Sequence, residues 1–268
     1  RSSDLILGYF IAAVWLFIDK RLLIPVFAPS IATVTMSYLG AVTWNFLSER
    51  RQKAQIRGAF AHYVPGKVVS ELLKNPDMLQ LGGEERVMTV IFSDVAGFTT
   101  ISEKLTPQQL VVLLNEYLTA MTDIVLAHDG IIDKYEGDAL MAEFGAPLPD
   151  EQHALKACHA ALDMQVKLRE MREKWKAEGR PELSARVGIN SGPMVIGNMG
   201  SREIFDYTVM GDNVNLSSRL EGANKIYNTL IRCAEATRLM VADAIVTREL
   251  DIIRVKGKTE GGKIHEIV

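Results

Sequence analysis

Cysteine is almost missing from this chain: 268 residues hold two, Cys158 and Cys233. Two thiols without CxxC spacing exclude a disulfide framework and argue against zinc or thiol redox chemistry, so the folded part is expected to be cytosolic. An excess of basic charge is missing as well. Lys and Arg number 30 against 33 Asp and Glu, a formal net charge of -3, which is unlike the positive footprint that neutralises nucleic-acid phosphates. No nucleic-acid partner is expected. With 24% charged and 48% hydrophobic residues, disordered and collagen-like classes are also excluded. The five histidines, His62, His128, His153, His159 and His265, show no metal-ligand spacing.

Hydrophobicity is what the chain has in excess, with a mean hydropathy of +0.08, and it is concentrated at the start. Leu22 to Leu47 carries no charged residue, and such a run exceeds the roughly 20 residues that cross a bilayer core. Leu5 to Ile18 is also uncharged and is separated from it only by Asp19, Lys20 and Arg21. We read residues 1–47 as two transmembrane segments, about 5–18 and 22–47, joined by a tight turn. A signal peptide fits poorly, because a basic leader and a small-residue cleavage site are both lacking. Arg50, Arg51, Lys53 and Arg57 outweigh the Lys20-Arg21 pair, so the positive-inside rule places everything after residue 48 in the cytoplasm. The expectation is a multi-pass protein of the cell membrane. Residues 48–85 read as a helical stalk and linker. Leu47, Ala54 and Ala61 give a heptad hint there, and a solvated charged linker is equally compatible. The chain opens on Arg1 rather than methionine, as expected of a fragment or processed product.

Gly82-Gly83 marks a boundary, after which residues 86–268 read as one α+β domain. Val87 to Phe92 predicts a buried strand ending at Ser93-Asp94. A helix is expected from about Pro107, with Leu110, Leu113, Leu114, Tyr117, Met121, Ile124 and Val125 at helical spacing and Gly130 ending it. A hairpin follows around Glu136-Gly137-Asp138, then a helix over 150–176. Strands are expected at 184–190, 194–198 and 207–210, and a helix capped by Asp212 runs to Asn224. A last hairpin, around 252–256 and 263–268, closes the chain. This order predicts a ferredoxin-like antiparallel sheet with flanking helices, gathered on one face.

Asp94 ends a strand and Asp138 sits at a hairpin tip, so two carboxylates at adjacent strand ends offer the hard oxygen donors that magnesium uses. Each alone is more often a turn or cap residue. Val95-Ala96-Gly97-Phe98-Thr99 adds backbone N–H groups ahead of a helix, an anion site beside the cations, and the combination suggests a nucleoside triphosphate.

Four ordered blocks, FSDVAGFTTISEKL (92–105), IIDKYEGDALMAEFGAP (131–147), VGINSGPMVIGNMGS (187–201) and DYTVMGDNVNLSSRLEGANK (206–225), resemble the catalytic domain of class III nucleotidyl cyclases. The hydrophobic start and the YVPGKVVSELLK lead-in further resemble bacterial membrane-anchored adenylate cyclases with an upstream extracellular sensor. The resemblance implies that Asp94 and Asp138, helped by the Val95 carbonyl, hold two Mg²⁺ or Mn²⁺ ions. It implies that Lys134 and Thr208 read the purine, that Phe98 and Thr99 line the phosphates, and that Lys258, with Lys256 next to it, contacts the terminal phosphates. Asn215 would orient the ribose and Arg219 stabilise the transition state, from one face of the Asp212 helix. A Lys donor beside a Thr acceptor suits adenine, although the Thr hydroxyl can also donate. Without the surrounding block, Lys134 reads equally as a solvated strand lysine, and Arg219 as a partner of Glu221. The implied activity is ATP to 3′,5′-cyclic AMP and pyrophosphate in a homodimer serving signal transduction. A guanylate cyclase and a catalytically dead homologue are the competing expectations.

Overall fold

A computed structural model describes residues 2–21, 27–60, 81–254 and 261–268. Two units divide between Val64 and Pro65. The first contains two helices, α1 (Ser2–Lys20) and α2 (Phe27–Phe60). Both expected spans are therefore helical over their described residues, and α2 continues past Ser48 without a break. Among the described residues, one helix is long and apolar enough to cross a membrane by length and composition, and it is Pro107–Ala127. That helix buries Leu113, Tyr117, Met121 and Val125 in the core of the second unit. Residues 22–26 of the second expected span lie outside the described residues, so the two spans stay an expectation. The YVPGKVVSELLK segment lies outside the described residues.

The second unit is an eight-stranded sheet. In chain order it comprises β1 (Gly82–Val95), α3 (Phe98–Ser102), α4 (Pro107–Ala127), β2 (Ile131–Glu136), β3 (Ala139–Phe144), α5 (His153–Ala177), β4 (Ala185–Gly200), β5 (Phe205–Met210), α6 (Asp212–Tyr227), β6 (Ile231–Ala234), α7 (Glu235–Val241), β7 (Thr247–Ile253) and β8 (Gly262–Ile267). The sheet order is β2-β3-β1-β4-β6-β8-β7, with β5 paired to β4. The β4–β6 pair is parallel, so the sheet is mixed rather than purely antiparallel.

Strand alternation sorts β1 between two layers. Ile91 and Val95 join the main core with α4 and α5. Met88 and Val90 face the opposite side with Met194, Ile196, Val209 and Val214. Helix α6 packs on that second side, where the Ser217 hydroxyl donates to the Val90 carbonyl at 2.8 Å. Helices therefore cover both faces, not one.

Two expected breaks fall within strands because backbones meet there. Gly82 and Gly83 are the first two residues of β1, opposite Asn198 and Gly197; a Cβ on Gly197 would fall 2.2 Å from the Gly82 carbonyl oxygen. The two strands expected at 184–190 and 194–198 form one strand, β4. Pro193 is tolerated in it because β6 covers residues 187–189 of that edge and β5 covers 195–200, so no ladder partner is lost. The start of α6 fills the gap, with the Asn213 amide donating to the Pro193 carbonyl at 2.9 Å and the Asn190 amide donating to the Asn213 carbonyl at 2.9 Å. Asp212 is the first residue of α6 rather than its cap, which is Gly211; its charge still complements the helix dipole. The expected α4 is built as read, opened by a capping box between Thr106 and Gln109.

Candidate active site

Strand register brings the two aspartates together. Ser93 of β1 faces Leu140 of β3, so the β2–β3 turn carrying Asp138 emerges beside Asp94. Gly137 makes that turn with φ 68°, a left-handed value open to glycine. The two carboxyl groups lie within hydrogen-bonding reach of each other, and Asp138 is pushed up to about 6 by burial and by the Asp94 charge. The N–H groups of Val95 and of Asp138 itself pull the other way. Two crowded like charges beside inward N–H groups are the chemistry a divalent cation relieves. Among the described residues no group of three or more His, Cys, Asp or Glu gathers, so most remaining ligands would come from substrate and water, as magnesium prefers. The Val95 side chain is buried in the core, which leaves only its backbone for the site.

Two further charges surround this pair, Arg186, which the sequence reading did not name, and Glu221. Arg186 lies directly across from Asp94 in the β1–β4 register, with its guanidinium 3.9 Å from the Asp94 carboxylate and 3.2 Å from Glu221 of α6. Glu221 is pushed up to about 7 by burial and by Asp94, against the pull of Arg186. Glu221 therefore pairs with Arg186, whereas the sequence offered Arg219. Close packing sets this geometry: a Cβ on Gly188 would meet the Glu221 nitrogen and the Ser217 oxygen at 2.3 Å, so α6 rests directly on β4. Asn215 and Arg219 occupy the outer side of α6, exposed and half-exposed respectively, away from Val214, Ser217 and Leu220.

Lys134 and Thr208 are brought together through a third residue. The Thr208 hydroxyl donates to the Asp133 carboxylate at 2.6 Å, and the Lys134 ammonium lies 3.4 Å from the other oxygen of the same carboxylate. Asp133 marks the bulge where β2 shifts register against β3, between Ile132 and Lys134. Beneath it sits Glu143, fully buried and held well above the usual carboxylate range by burial and by Asp133. Asp133 and Glu143 were also missed. A charge in the apolar strand ALMAEF was the available signal. Phe98 and Thr99 open α3 behind Gly97, with Phe98 packed against the main core. Lys256 and Lys258 lie outside the described residues.

A family model described as "Adenylate and Guanylate cyclase catalytic domain" matches residues 83–266. The chain belongs to this cyclase family. It is 36% identical over 209 residues to "Adenylate cyclase 1" of Rhizobium meliloti, covering 78% of this chain and 31% of that protein. It is 34% identical over 218 residues to "Adenylate cyclase" of Anabaena cylindrica, covering 78% and 42%. The chain thus spans less than half the length of these relatives. Among solved structures, the adenylyl cyclase CyaB of P. aeruginosa aligns with TM-score 0.66 at 36% identity, over 70% of this chain and 96% of that one. The guanylyl cyclase Cya2 aligns with TM-score 0.63 at 34% identity, over 70% and 94%. The cyclase blocks 92–105, 131–147, 187–201 and 206–225 all fall within the matched region.

Proposed function

We propose that this cyclase acts on ATP, forming cyclic AMP and pyrophosphate. The observation that carries the reading is the convergence of Lys134 and Thr208 on one carboxylate, at 3.4 and 2.6 Å. A lysine donor matches adenine N1, and a threonine oxygen matches the N6 amine. Guanine presents the reverse pattern at both positions. Asp94 and Asp138, with the Val95 carbonyl, would hold two Mg²⁺ or Mn²⁺ ions, which when bound acidify the ribose 3′-hydroxyl and neutralise phosphate charge. N–H groups at Phe98 and Thr99 bind the phosphates, and Lys258 contacts the terminal ones. Asn215 orients the ribose, and Arg219 stabilises charge developing on the α-phosphate.

Asn215 and Arg219 face outward on α6, which suits a site completed by a second copy of the chain. In a two-fold dimer, Asp94 and Asp138 of one protomer would meet Lys134, Thr208, Asn215 and Arg219 of its partner. Helices α1 and α2 would anchor the dimer in the cell membrane with the catalytic domain cytoplasmic. Their apolar side chains support this: Leu5, Trp15 and Ile18 are 71%, 61% and 74% exposed, and Met36 and Trp44 are 74% and 71% exposed. The hydroxyls of Thr35 and Thr43 bond back to the Ile31 and Leu39 carbonyls, both at 2.8 Å, so they present no free donor to lipid.

The test is turnover by the full chain, in membranes or detergent, with ATP or GTP and Mg²⁺ or Mn²⁺. Cyclic AMP is the expected product, and preferential formation of cyclic GMP overturns the substrate reading.

A further inference from the structure

We infer that Asp133 is a specificity-determining positioning residue: it fixes the Thr208 hydroxyl as a donor to itself and so leaves that oxygen to accept from the amine of adenine. The inference rests on the adenylate cyclase reading. A threonine hydroxyl has one proton and two lone pairs, and on its own serves a base that donates or one that accepts. Here the proton is committed. Thr208 Oγ1 donates to Asp133 Oδ2 at 2.6 Å, and the Asp133 side chain is 1% exposed, so water offers no alternative partner. Thr208 itself is 4% exposed. What remains toward the substrate is a lone pair. It accepts from the N6 amine of adenine and offers nothing to the O6 carbonyl of guanine.

The arrangement works only while Asp133 stays an acceptor. Asp133 Oδ1 and both oxygens of Glu143 are buried and make no well-formed hydrogen bond among the described residues; the Lys134 ammonium stands 3.4 Å from Asp133 Oδ1, the Val209 N–H lies near Glu143, and the two carboxyl groups face each other. One shared proton resolves this. Glu143, whose carboxyl is held well above the usual carboxylate range by burial and by Asp133, supplies it, and Asp133 accepts from the Thr208 hydroxyl on its other oxygen. The bulge at Asp133 allows this division of labour, because strict alternation would send Asp133 and Lys134 to opposite faces of β2.

The experiment compares kcat/KM for ATP and GTP in the full chain and three variants, each checked for a cooperative melt. Asp133→Ala frees the Thr208 hydroxyl and should lower the ATP/GTP ratio by roughly tenfold or more, mostly through KM for ATP. Asp133→Asn retains an acceptor and should keep most of the selectivity. Asp133→Val combined with Glu143→Leu replaces both buried carboxyls with apolar groups, which protects folding, and should lose selectivity as the alanine variant does. Folded Asp133→Ala and double variants that keep the wild-type ratio overturn the inference while leaving the ATP reading intact. A wild-type chain that prefers GTP overturns that reading, and the role given to Thr208 falls with it.

Discussion

Asp138 is the residue whose environment speaks most directly to function, because burial and Asp94 hold its proton up to about 6. A carboxyl raised in the folded state binds more protons than the unfolded chain between its ordinary value and the raised one. Metal-free protein should therefore lose stability as pH rises from about 4 through 6, and Glu221, raised to about 7, extends the loss in the same direction. Melting curves in chelator across this range should show the fall, and Mg²⁺ or Mn²⁺ should reverse it above pH 6 if the pair holds cations. Asp138→Asn should flatten the pH dependence and raise the metal-free melting temperature near neutrality, while cutting cyclic AMP formation by roughly a hundredfold or more. An active Asp138→Asn variant would remove the metal assignment. At this scale the meeting of Asp94 and Asp138 was legible from a strand end and a hairpin tip, whereas Lys134 and Thr208 were offered only by the cyclase resemblance. The pairing of Arg186 and Glu221 was not legible, since it depends on β1–β4 register and on α6 lying against β4, neither of which is local in sequence.

The helices α4 and α5 followed from apolar periodicity, with Pro107 and Gly130 bounding α4. Glycine and proline misled where they serve close approach rather than a turn, as at Gly82-Gly83 and Pro193. Gly188 is a further case and gives a sharp expectation. Gly188→Ala places a methyl group 2.3 Å from backbone atoms of α6, which a side-chain rotation cannot relieve. It should cost about 3 kcal/mol and lower the melting temperature by roughly 10 °C, with activity lost as Glu221 and Arg219 shift. A variant that melts like wild type would mean that α6 does not rest on β4. A second element-scale test concerns Glu116 on α4, which meets Lys174 of α5 at 2.7 Å and Arg180 beyond it at 2.8 Å. These cations hold Glu116 down to about 2. Its contribution is present above the unfolded value of 4.5 and is lost as pH falls toward 2, so Glu116→Gln should cost about 1 kcal/mol at pH 7 and little at pH 2. Equal losses at both pH values, read by denaturant melts, would assign Glu116 a packing role instead.

The molecule as a whole joins a pair of helices with exposed apolar side chains to a cyclase catalytic domain whose pieces face two ways. The order of blocks revealed the domain because each block ends a strand or begins a helix of the sheet. The mixed β4–β6 pairing and helices on both faces were hidden, since sheet order is set by long-range packing. In the proposed dimer, Asp94→Asn and Arg219→Ala should each silence a homodimer, because every site then lacks one of the two groups. Mixing the two dead proteins under verified subunit exchange is the most direct test of this account. In a heterodimer one site inherits both lesions, and the other joins the intact Asp94 of one chain to the intact Arg219 of its partner. The account predicts that cyclic AMP formation returns on mixing, with at most one working site per heterodimer. Exchange without any cyclic AMP would contradict it.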